Sequence, residues 1–314
     1  MKQLRIHIPL LTLVALLTSC ASDEAEQTAT LASPEPVMLK AVIEPGDGTT
    51  RAISGNTWSG GEFVAVKTAG TGGSTKKYKV NSASTGDLLG TDLANTHHWW
   101  STDETKTIAA WAYGEGGSDA YSSSYKAVTV PTTQDANTVK NYDMIWGTAS
   151  VSYANRSSAE LKFYHQMAKV TINVTRTGEA NSTSYPVTGV TIGSLKPTGT
   201  FVEPAASATD KNHGTWTLSG TAGNITPYKT TTASGYQYSY VALVLPQTVS
   251  GGVPINITLT SLGTKTYKAA ATLSSGVHYT YNVTVNKESI SVSAKIYDWS
   301  GKTIGTGSGS APFT

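Results

Sequence analysis

From Glu62 to Ile296 apolar residues return at every second position, and a helix-face spacing is absent. Val170, Ile172 and Val174 share one parity. So do Ile255, Ile257 and Leu259, then Tyr279, Tyr281, Val283 and Val285, then Ile290, Val292, Ala294 and Ile296. Strand side chains alternate between two faces, so this pattern commits the chain to half-buried strands. Glu62 to Lys67 and Tyr238 to Leu245 are apolar on both parities, as strands covered on both faces are. Thr107 to Tyr113 sets Ile108, Ala110 and Ala112 against Ala109, Trp111 and Tyr113. Leu161, Phe163 and His165 share a face, which reads His165 as a hydrogen-bonded core histidine rather than a base. Gly-, Ser- and Pro-containing stretches such as Thr68–Gly73, Gly114–Ser118 and Pro246–Thr248 punctuate the strands. The expectation is an all-β chain of two tandem β-sandwich domains. A loop-rich first half gives way to a compact second one near residues 150–166, so an N-terminal unit is placed at 37–160 and a C-terminal unit at 161–314. Val170, Ile172, Val241, Leu243, Tyr281 and Val283 are the expected core of the second.

Composition narrows the function. A net charge of +2 gives no field to gather nucleic acid or anionic membranes. Charged residues make up only 14% of the chain, and 16 Tyr and 7 Trp stand against 4 Phe, the profile of a secreted β protein. The single cysteine, Cys20, excludes an intrachain disulfide. No nucleophile elbow, zinc-protease motif or phosphate loop occurs. Asp103-Glu104 are sequence neighbours, whereas paired catalytic carboxylates face each other across a cleft. His97 and His98 would point to opposite faces of a strand and have no ligating cluster beside them. No enzymatic activity, cofactor or metal is expected.

The N-terminus carries an address. Lys2 and Arg5 precede an apolar run, Ile8 to Leu17, which at about ten residues is too short to span a bilayer and suits a signal-peptide core. Leu17-Thr18-Ser19-Cys20 resembles the bacterial lipobox, making 1–19 the signal peptide and Cys20 the acylated first residue of a lipoprotein. Ala21-Ser22-Asp23-Glu24-Ala25-Glu26 resembles the export signal that sends lipoproteins of Bacteroides-type bacteria to the outer face of the outer membrane. Residues 20–36 read as a disordered acidic tether. Met38 to Ile43 is a candidate first strand. Pro45 to Thr50 is a turn-rich loop ending at Arg51.

In chain order, the lipobox, Thr50-Arg51-Ala52, Trp58-Ser59-Gly60-Gly61-Glu62-Phe63-Val64, Leu161 to Val170, Val244-Leu245-Pro246-Gln247-Thr248, Val277 to Val283 and Ile296-Tyr297-Asp298-Trp299 resemble the fimbrillin family of type V pilus subunits and related lipoproteins. The Trp58 segment departs from the family's usual Trp, Gly-Asp, Ile-Gly-Val order, with Glu62 near the acidic position. The resemblance implies Greek-key, transthyretin-like sandwiches and a maturation step. A trypsin-like protease would cut between Arg51 and Ala52, the first strand would leave, and a neighbouring subunit would donate a strand into the groove. The implied partners are other pilin subunits, that protease, a lipid anchor and a host or bacterial surface ligand. The implied location is the outer membrane, the cell surface and the fimbrium.

A second function class is a surface lipoprotein that binds glycans without polymerising. Trp99, Trp100, Trp111 and Tyr113 would be its stacking platform. The tail, Lys302 to Thr314, with Ile304 and Phe313, reads either as a donor segment or as a frayed terminus. N-x-Ser/Thr triplets begin at Asn155, Asn173, Asn181, Asn224, Asn256 and Asn282, and a bacterial lipoprotein would leave them unmodified.

Overall fold

A computed structural model describes residues 29–44, 58–69, 73–114, 121–205, 207–299 and 301–312. Cys20, Arg51, Ala52 and the 1–19 segment lie outside the described residues.

The N-terminal unit contains β1 (Thr30–Pro36), β2 (Leu39–Glu44), β3 (Phe63–Thr68), β4 (Thr75–Val80), β5 (Asp87–Gly90), β6 (His98–Ser101), β7 (Thr105–Tyr113), β8 (Ala127–Thr129), the short helix α1 (Thr138–Tyr142), β9 (Met144–Ser152) and β10 (Glu160–His165). Its main sheet closes on itself in the order β10-β2-β5-β4-β3-β7-β9. The closing seam is short: Tyr164 pairs with Trp146 and His165 with Ile145. Gly147 allows it, because a Cβ there would collide with the backbone carbonyl of Lys162. Inward positions of β3, β4, β5 and β7 fill the interior with Val64, Val66, Tyr78, Val80, Leu88 and Ile108. Trp58 meets Phe163 edge-on, ring centroids 5.4 Å apart.

Two expectations are corrected here. The break between units falls after β10, not at 160/161, since Leu161 and Phe163 complete the first core and the chain enters the second unit through Gln166-Met167. The stretch expected to be tether reaches only partly: Thr30–Pro36 is a strand paired with β6. Its low hydrophobicity is offset by backbone pairing and by Glu35, which accepts from Arg156 Nε at 2.9 Å and Tyr153 Oη at 3.0 Å.

The C-terminal unit runs through β11 (Ala168–Arg176), β12 (Val187–Leu195), β13 (Thr198–Val202), β14 (Thr215–Ser219), β15 (Gly223–Ile225), β16 (Tyr228–Thr230), β17 (Tyr238–Val244), β18 (Gln247–Thr248), β19 (Pro254–Leu259), β20 (Gly263–Lys268), β21 (Thr272–Leu273), β22 (Val277–Val285), β23 (Ser289–Asp298) and β24 (Thr303–Pro312). A six-stranded sheet, β16-β17-β11-β22-β23-β24, and a four-stranded sheet, β15-β12-β19-β20, share one apolar core. Val170, Ile172, Tyr281 and Val283 are buried in it as expected. Val241 and Leu243 are not on that face. Tyr240 and Ala242 lie opposite Ile172 and Val170 in the ladder, so the odd positions of β17 point away. Leu243 is buried in a different cluster and Val241 only half-buried.

That other cluster joins the units. Ala65, Trp111, Tyr113, Met144 and Trp146 from the first meet Phe201, Leu243, Leu245 and Trp299 from the second. The sheet β14-β13-β8 straddles the seam. Buried glutamines tie irregular backbone to it. Gln134 pairs with both the N–H and the C=O of Leu243, at 2.9 and 2.7 Å. Gln166 accepts from Gly214 N at 3.0 Å and donates to Tyr164 O and Asn212 O. Gln247 makes the same two-way bond to Lys196. Gln134 and Gln166 thereby satisfy buried peptide groups of Leu243 and Gly214.

Candidate functional site

The strand β2 lies between β10 and β5. It pairs in parallel with β10 through five residues, Lys40 to Glu44, and antiparallel with β5 through only Leu39 and Lys40. Alternation sends Leu39, Ala41 and Ile43 inward, all buried, with Val37 just ahead of them. Full burial of a Val, Leu or Ile side chain stabilises by about 1.5–3 kcal/mol. Contacts beyond the ladder hold the strand, among them Lys40 N to Ala159 O at 3.1 Å and Val37 N to His97 O at 2.8 Å. Trp58 Nε1 donates to Ala41 O at 3.0 Å, Tyr78 Oη to Val37 O at 3.1 Å, and Ala41 N to Gly86 O at 2.7 Å. Burial raises the Tyr78 hydroxyl pKa, so it stays a donor. Outward, Glu44 meets Lys162 at 3.0 Å and holds its pKa up. A cleft of about 400 Å³, lined by residues including Met38, Lys40, Asp87 and Arg156, opens at the N-terminal end of the strand.

Removing β1 and β2 would therefore strip the barrel of one wall. The inner face of Phe163 and Leu161 would lose its cover, and the edges of β10 and β5 would present unpaired peptide groups. The sequence located this strand by its alternation. It could not show that Trp58, Tyr78 and Gly86 are its keepers, because their partners are backbone atoms distant in the chain.

The proposed aromatic platform does not form. Trp99 is buried in the barrel core, and Trp111 and Tyr113 in the junction. Only Trp100 of the four is exposed, at 60%. Adjacent strand positions point to opposite faces, which separates Trp99 from Trp100, and Trp111 packs within the protein against Tyr125, 4.5 Å between centroids with the rings tilted at 48°. His97 Nε2 donates to Val66 O, 2.9 Å away, and burial lowers its pKa. Glu104 closes a turn, accepting from Trp100 N at 2.6 Å and Lys106 Nζ at 3.1 Å. His165 is buried with its Nδ1 2.6 Å from Asp143 Oδ2 and its ring stacked on Trp299, 4.3 Å between centroids. Among the described residues no group of three or more His, Cys, Asp or Glu side chains could hold a metal.

The family model described as fimbrillin-like matches residues 50–299. The chain belongs to the fimbrillin-like family. Among the described residues, four of the stretches that carried the resemblance are structural parts of this fimbrillin-like chain. His165 and Gln166 seat the junction, Gln247 ties β18 to the turn after β12, Trp299 covers His165, and Trp58 holds β2. Two crystal structures share the fold: a candidate cell adhesion protein from Bacteroides uniformis, 18% identical, TM-score 0.59, covering 84% of this chain and 98% of that one, and another from Bacteroides ovatus, 17% identical, TM-score 0.60, covering 85% and 98%. No curated protein sequence matches the chain.

Proposed function

We propose that this fimbrillin-like chain is a non-catalytic structural and adhesive subunit of a surface fimbrium. It is exported as a lipoprotein acylated at Cys20 and held at the outer face of the outer membrane. A trypsin-like protease matures it by cutting between Arg51 and Ala52, and assembly proceeds by strand exchange. The observation that carries the reading is the position of β2: the first strand of the barrel, apolar and fully seated in it, whose covalent link to the strands that follow passes through residue 51. Severing that link turns β2 from an intramolecular strand into a bound peptide. A strand from a neighbour can then replace it, restoring both the ladder and the apolar wall. Repeated head-to-tail, this yields an open filament rather than a closed ring. Until then the filled groove keeps the subunit monomeric.

Replacing Arg51 by Ala removes the cleavage point. The variant should fold and reach the surface as the parent does, yet be missing from fibres. Fibres containing the variant at parental abundance would refute the maturation step. Glycan binding loses its support with the burial of Trp99, Trp111 and Tyr113.

A further inference from the structure

This inference rests on the strand-exchange reading above and names the partner. A strand that replaces β2 must satisfy the positions now held by Leu39, Ala41 and Ile43, which are wholly enclosed. The groove therefore asks for large, small and large aliphatic side chains at alternate positions. Outside the barrel it offers Lys162 beside Glu44 and Asp87 opposite Lys40. A strand this chain could itself supply is β24, Thr303–Pro312, which sits at the sheet edge and, among the described residues, pairs only with β23.

The two do not match. One parity of β24 reads Thr303, Gly305, Gly307, Gly309 and Ala311; in the groove it would leave the Leu39 and Ile43 volumes empty. The other reads Ile304, Thr306, Ser308, Ser310 and Pro312. It would bring one aliphatic and then hydroxyls into an apolar wall without partners, ending on a residue that has no N–H for the ladder. Nor does packing require Gly305 or Gly307 to be glycine where β24 now lies. A Cβ on Gly305 would stand 3.5 Å from Ile296 Cδ1 and one on Gly307 3.9 Å from Ala294 Cβ, both ordinary contacts.

We infer that the strand filling the groove after maturation comes from a chain of different sequence, one carrying aliphatic side chains in large–small–large order at alternate positions with an acidic residue placed to meet Lys162, and not from β24 of a second copy. The subunit is thus an acceptor for a heterologous donor.

The test uses full-length protein nicked after Arg51 and separated from its 1–51 fragment, and three labelled peptides: residues 37–44, residues 303–312, and the 303–312 peptide with Gly305→Leu, Gly307→Ala and Gly309→Ile. Binding is read by fluorescence anisotropy and self-association by size-exclusion chromatography. The 37–44 peptide and the substituted peptide should bind, and the native 303–312 peptide at least about 100-fold more weakly, as two emptied aliphatic sites require. The nicked protein alone should stay monomeric. Equal binding of the native 303–312 peptide, or a ladder formed by nicked protein alone, overturns the inference while leaving strand exchange intact. Failure of the 37–44 peptide to bind nicked, folded protein overturns the exchange reading and the inference with it.

Discussion

Truncating Ile43 to Ala probes the seat of β2 directly. Ile43 is buried and lies opposite Phe163 in the parallel ladder, while Phe163 packs edge-on against Trp58. Phe163 is fixed on β10 of the closed barrel and Trp58 is tied to Ala41 O from the segment ahead of β3, so neither collapses freely into the space. The loss should therefore fall within the usual range for such truncations, about 2–5 kcal/mol. The neighbouring position supplies the control: Val42 points outward and is half-buried, so Val42→Ala should cost under about 1.5 kcal/mol. In the intact subunit the difference appears as a shift in urea midpoint at unchanged slope, with Trp58 reporting from the same core. In nicked protein it appears as weaker retention of the 1–51 fragment. Each 1.4 kcal/mol is tenfold, so Ile43→Ala should loosen the fragment between about 30-fold and a few thousand-fold. Equal effects of the two substitutions would refute the register assigned to β2.

Three further outcomes follow from the same geometry. Gly147→Ala, which drives a Cβ into the Lys162 carbonyl at the barrel seam, should cost about 1–3 kcal/mol or more and lower the thermal midpoint; an unchanged midpoint would mean the seam is loose. Gln134→Ala leaves the Leu243 N–H and C=O buried without their partner and should cost about 1–3 kcal/mol by urea unfolding. Burial, aided by Lys169, holds His278 down to about 4, so folded His278 stays neutral while the unfolded chain takes up a proton first. Its contribution is complete above the ordinary value near 6.5 and is lost as pH falls toward 4, by about 3 kcal/mol at most, and His278→Gln should flatten that slope in urea titrations.

Alternation made the strands legible because each has one face on a continuous core. That is why the assignments around Val170, Ile172, Tyr281 and Val283 agree with the structure. On β17 both parities are apolar, so periodicity could not say which one faces the opposing sheet; the junction claimed Leu243 and the sandwich took Tyr240 and Ala242. β9 is not legible in the sequence because Gly147 breaks its apolar pattern at the point where the barrel closes. Nor is β1, because its stability comes from backbone pairing and the Glu35–Arg156 contact, neither of which leaves a hydrophobic period. For the site, the strand itself is readable, whereas the burial of Trp99 in the barrel and of Trp111 and Tyr113 in the junction depends on contacts between distant strands.

The central claim is that the first strand is a placeholder released by cleavage. Fibres sheared from cells, separated from membrane-bound subunit and analysed by N-terminal mass spectrometry, test it most directly. The account predicts that assembled subunits begin at Ala52 and carry no acyl group, with acylated Cys20 confined to unassembled precursor. Assembled subunits that begin at acylated Cys20 and retain residues 37–44 would contradict it.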